Sequence, residues 1–225
     1  MPQISFHSME DSAYLWTVMH AADEKGVSYD LVPLTYRSPA HLTLHPFGKM
    51  PVMQHGDFFL YESAAIAHYI DRAFEGPALQ PSDVKGQACV LRWISVVNAY
   101  VFPTMNRFMK ERLVKPLYGG KPDVDFLTSA REPLLLQMHL IDNAVKGTAF
   151  LEGDAVTLAD SFLFPQLLFF GKTPEGALLL EKSTHASAWL RRMMDRNSYV
   201  GGRMARAYEA FKQIPVPTKL VWTVG

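Results

Sequence analysis

Two adjacent polar residues, Glu62 and Ser63, stand where an amphipathic pattern begins that includes Ile66, Tyr69 and Ile70. Apolar residues at this spacing predict a helix, so the pair lies at a helix N-terminus. There the free N–H groups, the helix dipole and the serine hydroxyl can bind a carboxylate, while the glutamate can bind an ammonium group. An α-amino acid carries both groups, which makes the pair a candidate binding site. The structural alternative is that Ser63 is an N-cap and Glu62 a solvated acid.

Three hydroxyl groups follow the first strand-like pattern of the chain, on Ser8, Ser12 and Tyr14. A hydroxyl at a helix N-terminus can donate a hydrogen bond to a bound thiolate, which stabilises the charged form and lowers the thiol pKa. Ser12 or Asp11 could equally serve as the N-cap of that helix. The neighbouring Glu10 and Asp11 bring negative charge to the same turn, which opposes thiol ionisation.

Pro51 stands at the entry of the apolar pattern "PVMQ". Proline cannot donate to a sheet ladder, so it belongs at the first residue of a strand, at an edge or in a turn. Only about 5–6% of X–Pro bonds are cis, so the residues alone favour a trans edge proline. A second motif, "TLAD" from Thr157 to Asp160, has the spacing of a capping box before a strongly apolar helix. We interpret Asp160 as a structural cap and not as a catalytic acid.

The bulk composition excludes several classes of function. The chain has 225 residues, 48% of them apolar, and a formal net charge of +0, so charge does not favour binding to nucleic acid or to an anionic membrane. Its single cysteine, Cys89, excludes an intrachain disulfide framework, and the histidines show no metal-ligand spacing. The sequence patterns predict neither a secretory leader nor an apolar run long enough for a membrane span, so we expect a cytoplasmic protein without a metal.

The elements that must position these residues fall into two parts. A strand, a helix over 11–24 with Gly26 as its C-cap, a second strand and a hairpin around "HGD" precede the helix that begins at Glu62. This predicts an α/β domain over 1–75. "EGPALQPSD" marks a linker over 76–84, and helical periodicity then predicts an all-α domain of five or six helices over 85–225. We expect the proline-punctuated tail "IPVPTKLVWTVG" to pack against the body.

The order of these motifs along the chain is a more specific signal than any one motif. "RSPAHLTLHPFGKMP", "YESAAIAHYI", "FLEGDAVTLADSFLFP" and "ASAWLRRMMDRNSYV" together resemble the cytosolic glutathione transferases over essentially the whole chain. The first stretch is most similar to the phi- and theta-like, serine-type branches, including their bacterial members. The resemblance implies a thioredoxin-like N-terminal domain followed by the all-helical domain.

The resemblance also assigns residues to glutathione. The proline that matches Pro51 is cis in the family, and the backbone of Met50 would hold the cysteinyl part. Glu62 would bind the γ-glutamyl ammonium group and Ser63 the γ-glutamyl carboxylate. Ser12 would be the hydroxyl that activates the thiolate, although the residues around it depart from the family pattern.

The glycyl carboxylate of glutathione would lie near basic residues. The resemblance implies Arg37 and Lys49 for this corner, with His41 as a weaker candidate. The glutathione site is therefore expected entirely within the N-terminal domain.

The resemblance implies an enzyme in which glutathione is the co-substrate and an apolar electrophile the acceptor. We expect the acceptor pocket between the domains to be lined by Tyr100, Met105 and Phe108, although the same stripe could be helix core. The family forms homodimers. Two alternatives remain: a non-catalytic glutathione-binding carrier, and a glutathione-dependent isomerase, ether-cleaving enzyme or peroxidase on the same fold.

Overall fold

The structure is a computed structural model that describes residues 3–196 together with residues 206, 208, 209 and 213. The tail expected to pack against the body begins at Ile214 and lies outside the described residues, as does the end of the "ASAWLRRMMDRNSYV" motif.

The N-terminal part contains a four-stranded sheet in the order β2-β1-β3-β4. β1 pairs with β2 in parallel, whereas β3 runs antiparallel to both β1 and β4. The sheet and its helices have the thioredoxin-like arrangement that was predicted. The elements are β1 (Ile4–Ser8), α1 (Ala13–Lys25), β2 (Tyr29–Pro33), α2 (Pro39–Leu44), β3 (Val52–His55), β4 (Phe58–Tyr61) and α3 (Ser63–Ala73).

The first helix, α1, begins two residues later than predicted because Ser12 is its N-cap. The Ser12 Oγ accepts a hydrogen bond from the Leu15 N–H at 3.3 Å. At the other end Gly26 adopts the left-handed conformation with φ 76°, as the C-cap prediction requires. Most of α1 is buried, since it packs against α3 on one side and against the second domain on another.

Helix α2 was not predicted. Pro39 occupies its first turn, and the Ser38 Oγ accepts a hydrogen bond from the His41 N–H at 3.2 Å. Serine followed by proline is a typical helix start, so the signal was present in the sequence. A helix of six residues carries too little apolar periodicity to stand out.

The C-terminal part is helical, as predicted. α3 ends at Ala73 and the next helix begins at Val84, so the connection lies within two residues of the expected linker. Counted with the long first helix as one, six helices occur in the described residues of this part. The long helix consists of α4 (Val84–Val96), α5 (Phe102–Met109) and α6 (Lys115–Leu117), which are joined by π-helical turns at Val97–Val101 and Lys110–Val114. It is followed by α7 (Val124–Ser129), α8 (Arg131–Ala144), α9 (Leu158–Phe170), α10 (Pro174–Lys182) and α11 (Thr184–Met194).

The continuous helix Val84–Leu117 corrects one expectation, because it is long and apolar enough to cross a membrane by length and composition. Part of its apolar surface is buried within the protein, however. Val97, Val101, Met105 and Phe108 are fully buried or nearly so, and the helix packs against α9. One face of this helix therefore belongs to the core of the helical domain.

The predicted capping box at the start of α9 is confirmed. The Asp160 carboxylate accepts hydrogen bonds from the Thr157 N–H at 2.9 Å and from the Leu151 N–H at 3.0 Å. It also accepts one from the Trp189 Nε1–H of α11 at 2.9 Å. Burial raises the pKa of Asp160, and these donors oppose that shift. Asp160 thus joins three segments of the helical core, which fits its structural interpretation.

Candidate active site

A cavity of about 1270 Å³ lies between the sheet domain and the long helix. On the sheet-domain side it brings together most of the residues that the sequence singled out for ligand binding. Those lining it are Ser12, Lys49, Met50, Pro51, Glu62 and Ser63.

The Glu62-Ser63 pair forms the open N-terminus of α3. Glu62 occupies the N-cap position, its side chain makes no capping hydrogen bond, and its φ of 71° lies in the left-handed region. A non-glycine residue there costs about 1–3 kcal/mol and commonly marks a functional site. The first intrahelical bond runs from the Ile66 N–H to the Glu62 carbonyl, so the preceding N–H groups of α3 are available to an anion. Ser63 is therefore the first helical residue and not the N-cap.

The Met50–Pro51 peptide bond is cis and stands directly before β3. The Met50 side chain turns towards the β1–α1 turn, where its Sδ accepts a hydrogen bond from the Met9 N–H at 3.2 Å. This contact ties the proline loop to the turn that carries Ser12.

The three basic candidates for the glycyl carboxylate occupy different positions in the structure. Lys49 lines the cavity, whereas Arg37 is exposed and lies outside the lining. The His41 Nδ1 accepts a hydrogen bond from the Arg37 N–H at 3.0 Å, and the His41 Nε2–H donates to the Lys49 carbonyl at 2.8 Å. Both ring nitrogens of this buried histidine are thus occupied. His41 joins the two basic segments and is not available to bind a ligand carboxylate.

Of the three hydroxyl candidates, two have other partners. The buried Ser8 donates to the Met9 carbonyl at 3.2 Å and does not line the cavity. Tyr14 donates to the Asn98 Oδ1 at 2.9 Å, while burial and the charge of Glu62 raise its pKa. Ser12 accepts its capping hydrogen bond through a lone pair, and among the described residues its O–H proton has no acceptor, so it can donate into the cavity.

The acceptor wall differs from the prediction. Met105 and Phe108 are fully buried in the helical core, Tyr100 is largely exposed, and none of the three lines the cavity. Apolar periodicity selects the core face of the long helix, because the strongest apolar residues lie there. Six of the residues that line the cavity from the long helix and its end form a row with a spacing of four, which consists of Asn98, Phe102, Asn106, Lys110, Val114 and Tyr118.

The two π-helical turns explain how a spacing of four stays on one face. In an ideal α-helix each residue advances by about 100°, so Val114 would lie about 160° around the axis from Asn98. Each π-helical turn takes up about one additional residue and so corrects the phase by about 100°. The turns at Val97–Val101 and Lys110–Val114 therefore return the row to the cavity.

Two further polar residues of the cavity were missed by the sequence analysis. His45 is buried, its ring centroid lies 4.6 Å from that of Tyr61, and burial lowers its pKa, with Glu62 opposing this shift. Glu111 accepts hydrogen bonds from Lys115, the Asp123 N–H and Arg107; burial alone would raise its pKa, but these contacts lower it. His45 lies within the quoted stretch "RSPAHLTLHPFGKMP", but nothing in that stretch assigns it to the cavity, and no local motif marks Glu111. Both owe their place in the cavity to the tertiary fold.

Comparison with known proteins agrees with this geometry. The family model for the glutathione S-transferase N-terminal domain matches residues 6–78, and that for the C-terminal domain matches residues 98–197. A probable glutathione S-transferase from Oryza sativa subsp. japonica, GSTF2, is 30% identical over 196 residues, which cover 83% of this chain and 91% of the relative. The chain belongs to the glutathione S-transferase family.

Solved structures of the family superpose over nearly the whole chain. The apo form of glutathione S-transferase III has a TM-score of 0.81 at 28% identity, covering 96% of this chain and all of that one (100%). Glutathione S-transferase I from maize, in complex with an atrazine glutathione conjugate, also has a TM-score of 0.81, at 27% identity, covering 95% and 99% of the two chains. As a family member the chain thus has both domains of the fold.

Among the described residues, no group of three or more His, Cys, Asp or Glu side chains is arranged to hold a metal ion.

Proposed function

We propose that the protein is a glutathione transferase that conjugates reduced glutathione to apolar electrophiles in the cavity between its domains. The observation that carries this proposal is the convergence of Ser12, Met50-Pro51 and the open α3 N-terminus on one cavity, in a chain of this family. A related maize enzyme holds a glutathione conjugate, which supports the reaction class.

Glutathione would be bound by charge and by backbone groups. Glu62 would bind its ammonium group, while Ser63 and the N–H groups of α3 would bind the γ-glutamyl carboxylate. The backbone of Met50 would hold the cysteinyl part. Lys49 would bind the glycyl carboxylate directly, and the exposed Arg37 would contribute from outside the lining.

Catalysis would follow from ionisation of the bound thiol. The Ser12 O–H would donate a hydrogen bond to the sulfur, which stabilises the thiolate as it attacks an electrophilic carbon. The apolar surface that binds the acceptor would come from Phe102, Met109 and Leu113, which line the cavity. These residues replace the predicted Tyr100, Met105 and Phe108.

The test uses two serine variants with a chlorodinitrobenzene acceptor. Ser12→Ala should lower kcat by about 10²-fold or more, since it removes a donor that acts on developing charge. Ser63→Ala should weaken glutathione binding in calorimetry by about threefold to thirtyfold. Full activity of Ser12→Ala would contradict its role, and no glutathione binding to the wild type at millimolar concentration would contradict the function itself.

One observation favours a second candidate function. Glu10 and Asp11 both line the cavity, and two carboxylates close to the sulfur oppose thiolate formation. A glutathione-binding carrier with feeble turnover would have this arrangement. An undepressed thiol pKa together with intact glutathione binding would favour the carrier over the transferase.

We further propose a cytoplasmic homodimer of the phi- and theta-like, serine-type branch. Exposed apolar side chains on both halves of the chain support dimerisation, among them Phe47, Phe58, Leu91 and Tyr100. Light scattering at micromolar concentration should give twice the chain mass of 25.3 kDa. A monomeric mass would contradict the dimer without affecting the glutathione site.

A further inference from the structure

Two polar side chains of the cavity row, Asn106 and Lys110, have no hydrogen-bond or ion-pair partner within the part of the chain that the structure describes. They lie four residues apart on the long helix and both line the cavity, so they occupy the same face one turn from each other. Asn106 is half-buried and Lys110 is exposed at the cavity wall. An amide and an ammonium group placed in this way are complementary to an anion.

The charged side chains around Lys110 neutralise one another, and Lys110 takes no part in this. Glu111 accepts hydrogen bonds from the Arg107 Nε at 3.1 Å and the Lys115 Nζ at 2.9 Å, and Arg107 also contacts Asp123 at 3.4 Å. These two cations and two carboxylates form a neutral cluster. Lys110 is therefore the surplus positive charge on this wall of the cavity.

Several apolar side chains lie on the same wall as this pair. Phe102, Met109, Leu113 and Val114 line the same wall. A ligand that fits both features has an apolar body and a single anionic group, and a carboxylate can accept from the amide and the ammonium group together.

The position of Lys110 along the helix sets where that anionic group would lie. Phe102 packs on the Tyr14 ring, with 4.4 Å between centroids, close to the turn that carries Ser12. Lys110 is two helical turns further on, about 12 Å along the axis. This separation suits an aromatic acid that reacts at one end and is held at the other by a lysine with a flexible four-carbon stem. At the reacting end, Glu10 and Asp11 repel a carboxylate, which favours the same orientation.

We propose that Asn106 and Lys110 form a carboxylate subsite, and that the preferred acceptors are aromatic or similarly apolar electrophiles that carry an acid group. The proposal rests on the transferase function. With a chloroarene acid the thiolate sulfur forms a bond to the ring carbon, chloride leaves with its bonding electron pair, and the thiol proton passes to solvent. The ring acid group takes no part in the reaction and serves for binding alone.

The test compares two acceptors that differ in charge, chlorodinitrobenzoate with chlorine para to the acid, and the corresponding benzamide. The wild type should have the higher kcat/KM for the acid, relative to the uncatalysed rates of both compounds. Lys110→Gln should lower the acid-to-amide ratio by about threefold to tenfold, and Lys110→Arg should retain most of it. Asn106→Leu should lower the ratio less, because it removes an uncharged donor.

Lys85→Gln is the matched control, since Lys85 is an exposed lysine of the same helix outside the cavity lining, and it should leave the ratio unchanged. A wild type without preference for the acid, or a Lys110→Gln ratio equal to that of the wild type, would overturn the subsite. Loss of glutathione binding or of all turnover would contradict the transferase function instead. In that case calorimetric Kd values of the free acid and amide, for the wild type and Lys110→Gln, still decide for or against the subsite.

Discussion

At the scale of single residues, Ser12 combines an observed role, the N-cap of α1, with a proposed one, hydrogen bonding to the thiolate. The capping interpretation and the catalytic interpretation use different parts of the hydroxyl group, because the cap needs a lone pair and a thiolate needs the proton. The Trp16 Nε1–H donates to the Glu10 carbonyl at 2.8 Å, which fixes the turn just before Ser12. The side chain that would contact sulfur is thus oriented by the same contacts that begin the helix.

The acidic residues of that turn lead to a prediction about the thiol. Replacing both by their amides, Glu10→Gln with Asp11→Asn, removes two negative charges beside the sulfur and should lower the pKa of bound glutathione by about half a unit. The activity profile should move to lower pH, with about a twofold to threefold gain in kcat/KM below the thiol pKa. Ultraviolet titration of the thiolate and the pH dependence of kcat/KM measure the two effects.

The control for this variant is Asp57→Asn, which removes an exposed carboxylate of the sheet domain outside the cavity lining. It should leave both measurements unchanged. The shift caused by the double variant should shrink at high salt, because exposed charges are screened. A thiol pKa that rises or stays constant would show that the acidic turn does not act on the sulfur.

At the scale of elements, the sequence predicts those whose signals are local. The β3–β4 hairpin follows from the "HGD" turn between two apolar runs, α3 from its apolar spacing, and the α9 cap from the spacing of Thr157 and Asp160. Helix α2 was missed, since six residues hardly establish a period. Local sequence signals are therefore sufficient to predict an element that has a clear capping or turn residue and a clear apolar face.

The wall of the acceptor pocket could not be predicted in this way. Periodicity identifies the apolar face of the long helix, but Met105 and Phe108 on that face pack into the core. The cavity row keeps its direction only because two π-helical turns correct its phase. Nothing in the residue types at Val97–Val101 or Lys110–Val114 signals such a turn, so a reading based on 3.6 residues per turn selects the wrong side.

At the scale of the whole molecule, the two domains meet across a polar and aromatic interface around α1. The Tyr14 hydroxyl donates to Asn98, and the His20 Nδ1 lies 3.0 Å from the Ser161 Oγ. Because Ser12 precedes α1 and α1 packs along α9, the position of the Ser12 turn relative to the proposed acceptor wall depends on this interface. The geometry of the candidate active site therefore depends on the stability of this domain interface.

His20 makes this interface sensitive to acid. It is completely buried, and burial lowers its pKa from 6.5 to about 4, with Glu24 raising it and Arg196 lowering it further. Between these two pH values the unfolded chain binds a proton that the folded protein excludes, so the free energy of unfolding falls as the pH falls from about 6.5 to about 4. For a shift of this size the loss approaches about 3 kcal/mol.

The prediction is measured by denaturant unfolding at a series of pH values between 7 and 4, for the wild type and for His20→Gln. The variant lacks the titrating ring, so its stability should decline less over this interval, even if it starts lower because a buried contact to Ser161 has changed. Carboxylates that titrate in the same interval affect both proteins and cancel in the difference. His68→Gln, at an exposed histidine of α3, should follow the wild type. Parallel stability curves for the wild type and His20→Gln would show that His20 does not cause the acid sensitivity of the domain interface.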